Sequence, residues 1–253
     1  MSLACVLLAV FLLVALVLSW LYGIRLYDAM SRRGHPRDHH PLFHTGRTDR
    51  VVALTIDDAP WRYQLPLGVE LSTSIEEIGE VLRNHGCSAT LMVIGSYLRA
   101  APPRALAAMR QLHADGIVEF ANHGYTNSRA ASLTAHQLAL EINKTEAAVR
   151  DWLGPEARMA PFYRPGCGRF HADMLLVAAD RGYRTVLGDA YPFDPQLPVP
   201  FLLFWHLMIT VRPGSIIILH DRPWTPALLR MLLPWLQDQG YRVVMLSRAL
   251  CPQ

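Results

Sequence analysis

No glycine-rich phosphate loop of the Gly-x-Gly-x-x-Gly or Walker type occurs in the 253 residues, which removes the usual nucleotide-binding reading. Nor is there a basic patch interleaved with aromatic residues, and a net charge of +3 is too small to argue for a nucleic-acid partner. Cysteine is scarce. Cys5, Cys87, Cys167 and Cys251 stand far apart, without metal or redox spacing, so they define neither a disulfide framework nor a compartment. Charge is missing altogether from residues 3–22, a run long enough to cross a bilayer as a helix.

A secretory signal is the rival reading of that run. It lacks a basic segment before the apolar core, and residues 18–23 offer no small-x-small cleavage site. The expectation is a single-pass membrane protein: residues 1–24 an uncleaved anchor, 25–49 a linker and 50–253 one domain. Arg25, Arg32, Arg33 and Arg37 follow the span, which biases the domain toward the cytoplasmic side without deciding it. The sequon at Asn143 matters only on the other side. The histidines of the linker sit in a polar, proline-broken stretch, the composition of a connector.

With 51% hydrophobic residues the remainder can bury one large core. Strand-like runs recur at 51–57, 89–94, 117–121, 160–163, 184–188, 215–219 and 241–246. Helical stretches at 74–85, 102–115, 134–152, 171–181 and 225–239 separate most of them. Ser74 with Glu77 fits a capping box, Pro102-Pro103 and Thr225-Pro226 fit helix starts, and Gly86, Gly116, Gly182 and Gly240 stand where left-handed C-terminal caps belong. Strands joined by crossover helices predict a parallel sheet, open or closed into a barrel. The pattern breaks at 190–213, where a proline-rich loop and the apolar stretch 201–209 stand in place of a plain helix.

Parallel α/β folds present ligands at the carboxyl ends of their strands. Those ends carry Asp57-Asp58, then His123 and Asn127, then Arg164 and Cys167, then Asp189, and finally His220-Asp221. Each alone is more often a solvated turn or a satisfied core residue; together on one rim they point to chemistry. His123 and Asn127, four apart, share a face if their turn is helical. With one carboxylate of the Asp-Asp pair they make a three-ligand site with open positions, as a water-activating metal requires. The other carboxylate is then free as general base, His220 can serve as proton donor, and Arg164 and Asp189 can orient base and acid respectively.

Residues 50–250 resemble the NodB-homology polysaccharide deacetylases, carbohydrate esterase family 4. Thr55-Ile-Asp-Asp-Ala-Pro60 is similar to the first family motif, Thr-Phe-Asp-Asp-Gly-Pro, and Asn122-His-Gly-Tyr-Thr-Asn127 to the second, His-Ser/Thr-x-x-His. Tyr163-Arg-Pro-Gly-Cys-Gly168 is similar to the Arg-x-Pro-Tyr-Gly region and Ile218-Leu-His-Asp221 to the closing Leu-His-Asp. The resemblance implies a distorted (β/α)7 barrel behind the membrane-spanning helix. It implies Asp57 as base, Asp58, His123 and Asn127 as metal ligands and His220 as acid, with a divalent metal, zinc first and cobalt as alternative. The Cys167 N–H would help hold the oxyanion, and Asp189, Leu219 and Asp221 belong to motif regions around the substrate. The expected reaction is metal-dependent hydrolysis of N-acetyl groups on a chitin-like or peptidoglycan-like amino sugar, with no nucleic-acid partner. Departures are plain: Asn127 replaces the second histidine, Gly166-Cys167 replaces Pro-Tyr, and the Asp-x-x-Asp-Trp fourth motif is absent. A catalytically silent carbohydrate-binding relative, or a hydrolase of another C–N amide on the same fold, are the alternatives.

Overall fold

Nine consecutive buried residues, Val51–Ala59, form the central strand β1, as their unbroken apolar character predicts for a strand covered on both faces. The structure, a computed structural model, describes residues 3–32, 40–61, 63–64, 70–71 and 73–251; linker residues 33–39, with two of its four histidines, His35 and His39, lie outside them. Strands Tyr63–Gln64 (β2) and Glu70–Leu71 (β3) form a separate two-stranded antiparallel sheet. Strands β4 (Ala89–Val93), β5 (Val118–Asn122), β6 (Phe162–Tyr163), β7 (Arg184–Thr185), β8 (Ile216–His220) and β9 (Arg242–Val244) join β1 in one sheet. Its order is β7-β6-β5-β4-β1-β8, with β9 on the first residues of β1, and every pairing is parallel. The curl is completed by single bridges, Leu42 to Val186 and Ala190 to Ile217. This is the parallel sheet that the strand spacing predicts, curled into the distorted barrel that the resemblance implies.

Helices α2 (Ile75–Asn84), α4 (Pro103–Ala114), α5 (Ala135–Leu153), α6 (Ala172–Ala179) and α8 (Thr225–Asp238) fall where the periodicity predicts them. The four glycines that follow α2, α4, α6 and α8 have φ of 59°, 67°, 76° and 77°, a region costly for any residue with a Cβ. One cap differs from expectation. Ser74 makes no side-chain cap to α2; its backbone N–H is held instead by the Asp221 carboxylate at 2.8 Å. A capping box is present instead at α5, where Thr134 and Gln137 bond reciprocally. Three helices lack a readable periodic signal: α3 (Gly95–Ala100), α7 (Pro200–Thr210) and α9 (Leu246–Leu250). α7 occupies the stretch where the regular pattern breaks.

Alternation along β1 divides the core. Val52, Leu54 and Ile56 pack outward against the helices, while Val51 and Ala53 face the barrel interior with Met92, Ala121 and Ile216, closed below by Leu246 and Ala249 of α9. The interior line of β1 therefore continues through Thr55 to Asp57. Before the barrel runs α1 (Leu3–Ser31), which continues past the predicted end of the anchor. Its stretch Leu8–Ser31 is long and apolar enough to cross a membrane, a description that a signal sequence also meets.

Candidate active site

Adjacent residues of a straight strand point to opposite faces, so Asp57 and Asp58 should diverge. They do not, because Asp58 adopts φ +63° and the register between β1 and β4 slips between Ile56 and Ala59. A left-handed non-glycine residue costs roughly 1–3 kcal/mol and persists only where its surroundings hold it. Here it turns both carboxylates toward His123, whose Nε2 lies 3.8 Å from Asp57 Oδ2 and 3.5 Å from Asp58 Oδ1.

His123 leaves the carboxyl end of β5 and is buried. Its Nδ1–H donates to the Arg164 carbonyl at 2.8 Å, which fixes the tautomer and aims Nε2 at the aspartates. The turn from residue 123 to 129 is not helical, so four-residue spacing does not put Asn127 on the face of His123. Asn127 is exposed and donates from Nδ2 to the Tyr97 hydroxyl at 3.2 Å. Glu141 holds the turn instead, accepting from the Tyr125 N–H at 2.9 Å and the Thr126 N–H at 2.6 Å.

Arg164 is buried inside the barrel and bridges three strands. Nη1 donates to Asp57 Oδ1 and, at 2.8 Å, to Thr55 Oγ1. Nη2 donates to the Leu187 carbonyl at 2.6 Å and Nε to the Val186 carbonyl at 3.3 Å. One oxygen of Asp57 is thereby immobilised, and the other, Oδ2, faces His123. Past Arg164 the chain makes a tight turn in which Cys167 is exposed and has φ +63°. Gly166 is required there: a Cβ would stand 2.3 Å from the Ser128 carbonyl oxygen. The turn that carries the Cys167 N–H is thus packed directly against the loop that carries His123.

His220 ends β8, level with Asp57 in the register. The acid beside it is Asp194, not Asp189. Its Nδ1 donates to Asp194 Oδ1 at 2.9 Å and its backbone N–H to Oδ2 at 2.8 Å. The register explains the correction. Ala190 lies level with Ile217, so Asp189 meets the start of β8, where it accepts from the Ile216 N–H at 3.2 Å and Arg212 Nε at 3.0 Å. The chain comes alongside His220 only a few residues later. Leu219 does not reach the rim either; its side chain lies in the helix-facing core. Asp221 is wholly buried and ties the site to its surroundings. It accepts from the Trp61 N–H and the Ser74 N–H, both at 2.8 Å, and from Thr73 Oγ1; burial raises its pKa despite those donors.

Arg222, the next residue, escapes motif-based reading. Its Nη2 lies 2.5 Å from Asp58 Oδ2, and its guanidinium stands 4.7 Å from the Trp61 ring centre. Its position directly after His220-Asp221 is the signal that could have drawn attention to it; Asp194, in an aperiodic loop, offers none. Electrostatically the groups sort into pairs. Burial would raise the Asp58 pKa, but the hydrogen bond from His123 and the charges of His220, His123 and Arg222 hold it well below the usual carboxylate range. Burial would lower the His220 pKa, but Asp194, Asp57 and Asp58 outweigh it and raise it. His123 is raised in the same way, burial being outweighed by Asp57 and Asp58.

The donor set matches a divalent cation in part. Ligands about 2.1 Å from a tetrahedral zinc stand about 3.4 Å apart, close to the separation of His123 Nε2 and Asp58 Oδ1. An imidazole nitrogen aimed at two carboxylates needs a cation or a proton between them. Among the described residues, however, no group of three or more His, Cys, Asp or Glu side chains is arranged as a metal cluster, and Asn127 is turned to Tyr97. His123 and Asp58 are the two donors that fit.

Comparison with known proteins places this architecture. The family model described as polysaccharide deacetylase matches residues 44–186. A peptidoglycan-N-acetylglucosamine deacetylase of Bacillus cereus is 26% identical over 80% of this chain and 89% of its own length. A chitooligosaccharide deacetylase of Sinorhizobium fredii is 29% identical over 75% and 87%. The chain spans only half the length of another relative, the uncharacterised protein YlxY of Bacillus subtilis, at 23% identity over 66% of this chain. Among solved structures, a carbohydrate esterase family 4 pseudoenzyme from Bacillus anthracis superposes with a TM-score of 0.70. Its identity is 22%, and the match covers 83% of this chain and 69% of that one.

Proposed function

Because this chain belongs to the polysaccharide deacetylase family, whose members are generally metal-dependent, we propose that it hydrolyses N-acetyl groups from an N-acetylated amino-sugar polymer or oligomer. The observation that carries the reading is the pairing of a base and an acid across the strand ends: Asp57 steadied by Arg164, His220 steadied by Asp194. A binding module has no need of either arrangement.

In this reading Asp57 Oδ2 takes the proton of the attacking water, while Arg164 keeps the other oxygen in place. His220, with Nδ1 committed to Asp194, presents its Nε2 proton to the departing sugar nitrogen. In the same reading the exposed Cys167 turn supplies its backbone N–H as a donor to the acetyl oxygen as negative charge gathers there. His123 and Asp58 would hold a divalent cation, which when bound would supply Lewis-acid activation of water and of the acetyl carbonyl. Water adds to the amide carbon, the C–N bond breaks, and acetate and a free amine leave. Acetate release from short N-acetylglucosamine oligomers and from peptidoglycan, with and without added zinc, tests the proposal.

A second reading, a catalytically silent carbohydrate-binding relative, is favoured by Asn127, which stands away from the donor pair. Zinc titration separates the two. If Asn127 closes on the cation, Asn127→Ala should weaken zinc binding and Asn127→His should tighten it by roughly tenfold or more, imidazole being the better donor. Unchanged affinity in Asn127→Ala would remove Asn127 from the ligand set and leave it as a residue that fastens the turn to Tyr97. Arg222 supplies an independent check. Its charge sits on the same carboxylate that would hold the cation, so Arg222→Gln should raise zinc affinity by about tenfold. A fall in affinity would show that Arg222 orders Asp58 for the metal rather than competing with it.

A further inference from the structure

Helix α7 carries no charged residue, yet one of its faces is uncovered. Leu203, His206, Leu207 and Thr210 are buried against the domain. Phe201, Leu202, Trp205, Met208 and Ile209 are exposed, Phe201 at 63%. At about 100° per residue these five fall within an arc of roughly 120°, a single apolar stripe. A soluble surface seldom displays a contiguous apolar face of that kind without a use for it. The helix is also too short to span a bilayer, which takes about 20 residues.

What lies beside the stripe identifies its occupant. Trp20 of α1 stacks on Trp205, with ring centres 6.4 Å apart. Its Nε1–H donates to the Pro192 carbonyl at 3.3 Å, and the His206 ring bonds the Trp20 carbonyl at 3.0 Å. Arg25 reaches the Thr210 carbonyl at the end of α7. So α7 meets α1 between Trp20 and Arg25. On the amino-terminal side of that contact, Phe11, Leu12, Leu13 and Leu16 of α1 are exposed. From Leu3 to Trp20 the helix rises about 27 Å, close to the thickness of a hydrocarbon core. Trp20 then falls at the interface, where tryptophan and tyrosine gather, and Arg25 falls just beyond it among headgroups. Arg212, two residues past α7 and half exposed, brings a second cation to the same level.

We propose that the Phe201–Leu202–Trp205–Met208–Ile209 face of α7 lies in the interfacial layer of the bilayer that α1 crosses, so that lipid covers it and the domain is seated on the membrane at two points. The inference rests on the reading of α1 as a membrane span. It has a consequence for the site. The loop that leads into α7 is fastened to α1 at Pro192, while its neighbours Tyr191 and Asp194 pack on His220. The acid is therefore supported by the same segment that the membrane contact holds.

The test uses the full chain in vesicles of phosphatidylethanolamine and phosphatidylglycerol. A photoreactive p-benzoylphenylalanine replaces Phe11, Phe201, Met208 or, as a control, the exposed Leu140 on α5. Irradiation should add the mass of one phospholipid at positions 11, 201 and 208 and none at 140. Lipid adducts at 11 but not at 201 or 208, or crosslinks from 201 and 208 to a second copy of the chain, would overturn the inference and leave the span intact. Absence of a lipid adduct at 11 as well would sink the span reading and this inference with it.

Discussion

Asp57→Asn is expected to lower acetate release by at least about a hundredfold, the lower end of what a positioned general base contributes. Asparagine keeps the shape and can still accept from Arg164 Nη1, but it has no charge with which to take a proton from water. The change also leaves a buried guanidinium without its counter-charge. Arg164 retains Thr55 Oγ1 and the carbonyls of Val186 and Leu187 as acceptors, so the stability loss should be about 1–3 kcal/mol and the chain should stay folded. Circular dichroism melting and zinc titration of the variant separate the chemical effect from these structural ones. Zinc binding should persist, because His123 and Asp58 are untouched. Retained turnover in a folded variant would take Asp57 out of the mechanism.

The second large effect belongs to His220. His220→Ala should cut turnover by about a hundredfold or more without loss of bound metal; a fall in metal content would make it a ligand instead. Asp194→Asn is the finer probe. The raised pKa of His220 keeps the ring protonated to higher pH, and Asp194 is the foremost of the carboxylates that raise it. Removing that charge lowers the pKa, so the alkaline limb of the kcat/KM profile should move to lower pH. A profile that keeps its shape and loses only amplitude would make Asp194 a structural support for the loop and not the group that tunes the acid.

Much of this molecule is legible along the chain because the signals are local. The apolar run of β1, the helical periodicity of α2, α4, α5, α6 and α8, and the glycines after four helices each report a backbone preference that neighbouring residues enforce. The residues at the strand ends follow from those elements, since a parallel sheet delivers its carboxyl ends to one rim. Asp57, Asp58, His123, Arg164 and His220 were therefore readable as a group.

Which of them touch, and through which partner, is a matter of register, and register is tertiary. Asp194 rather than Asp189 meets His220 because the loop after β7 runs level with β8 and reaches the end of that strand only after several residues. Asn127 leaves His123 because Glu141, on α5, holds the turn in a form that is not helical. Asp58 joins Asp57 on one side because a left-handed residue and a slipped register, neither visible as a pattern, turn it there. Arg222 and Trp61 meet over Asp58 although they stand far apart in the chain. The sequence alone determined that these charges would gather at one rim, since alternation and parallel connection leave them nowhere else; only the packed structure decided their pairing, because a buried charge takes the partner that the folded backbone brings within reach.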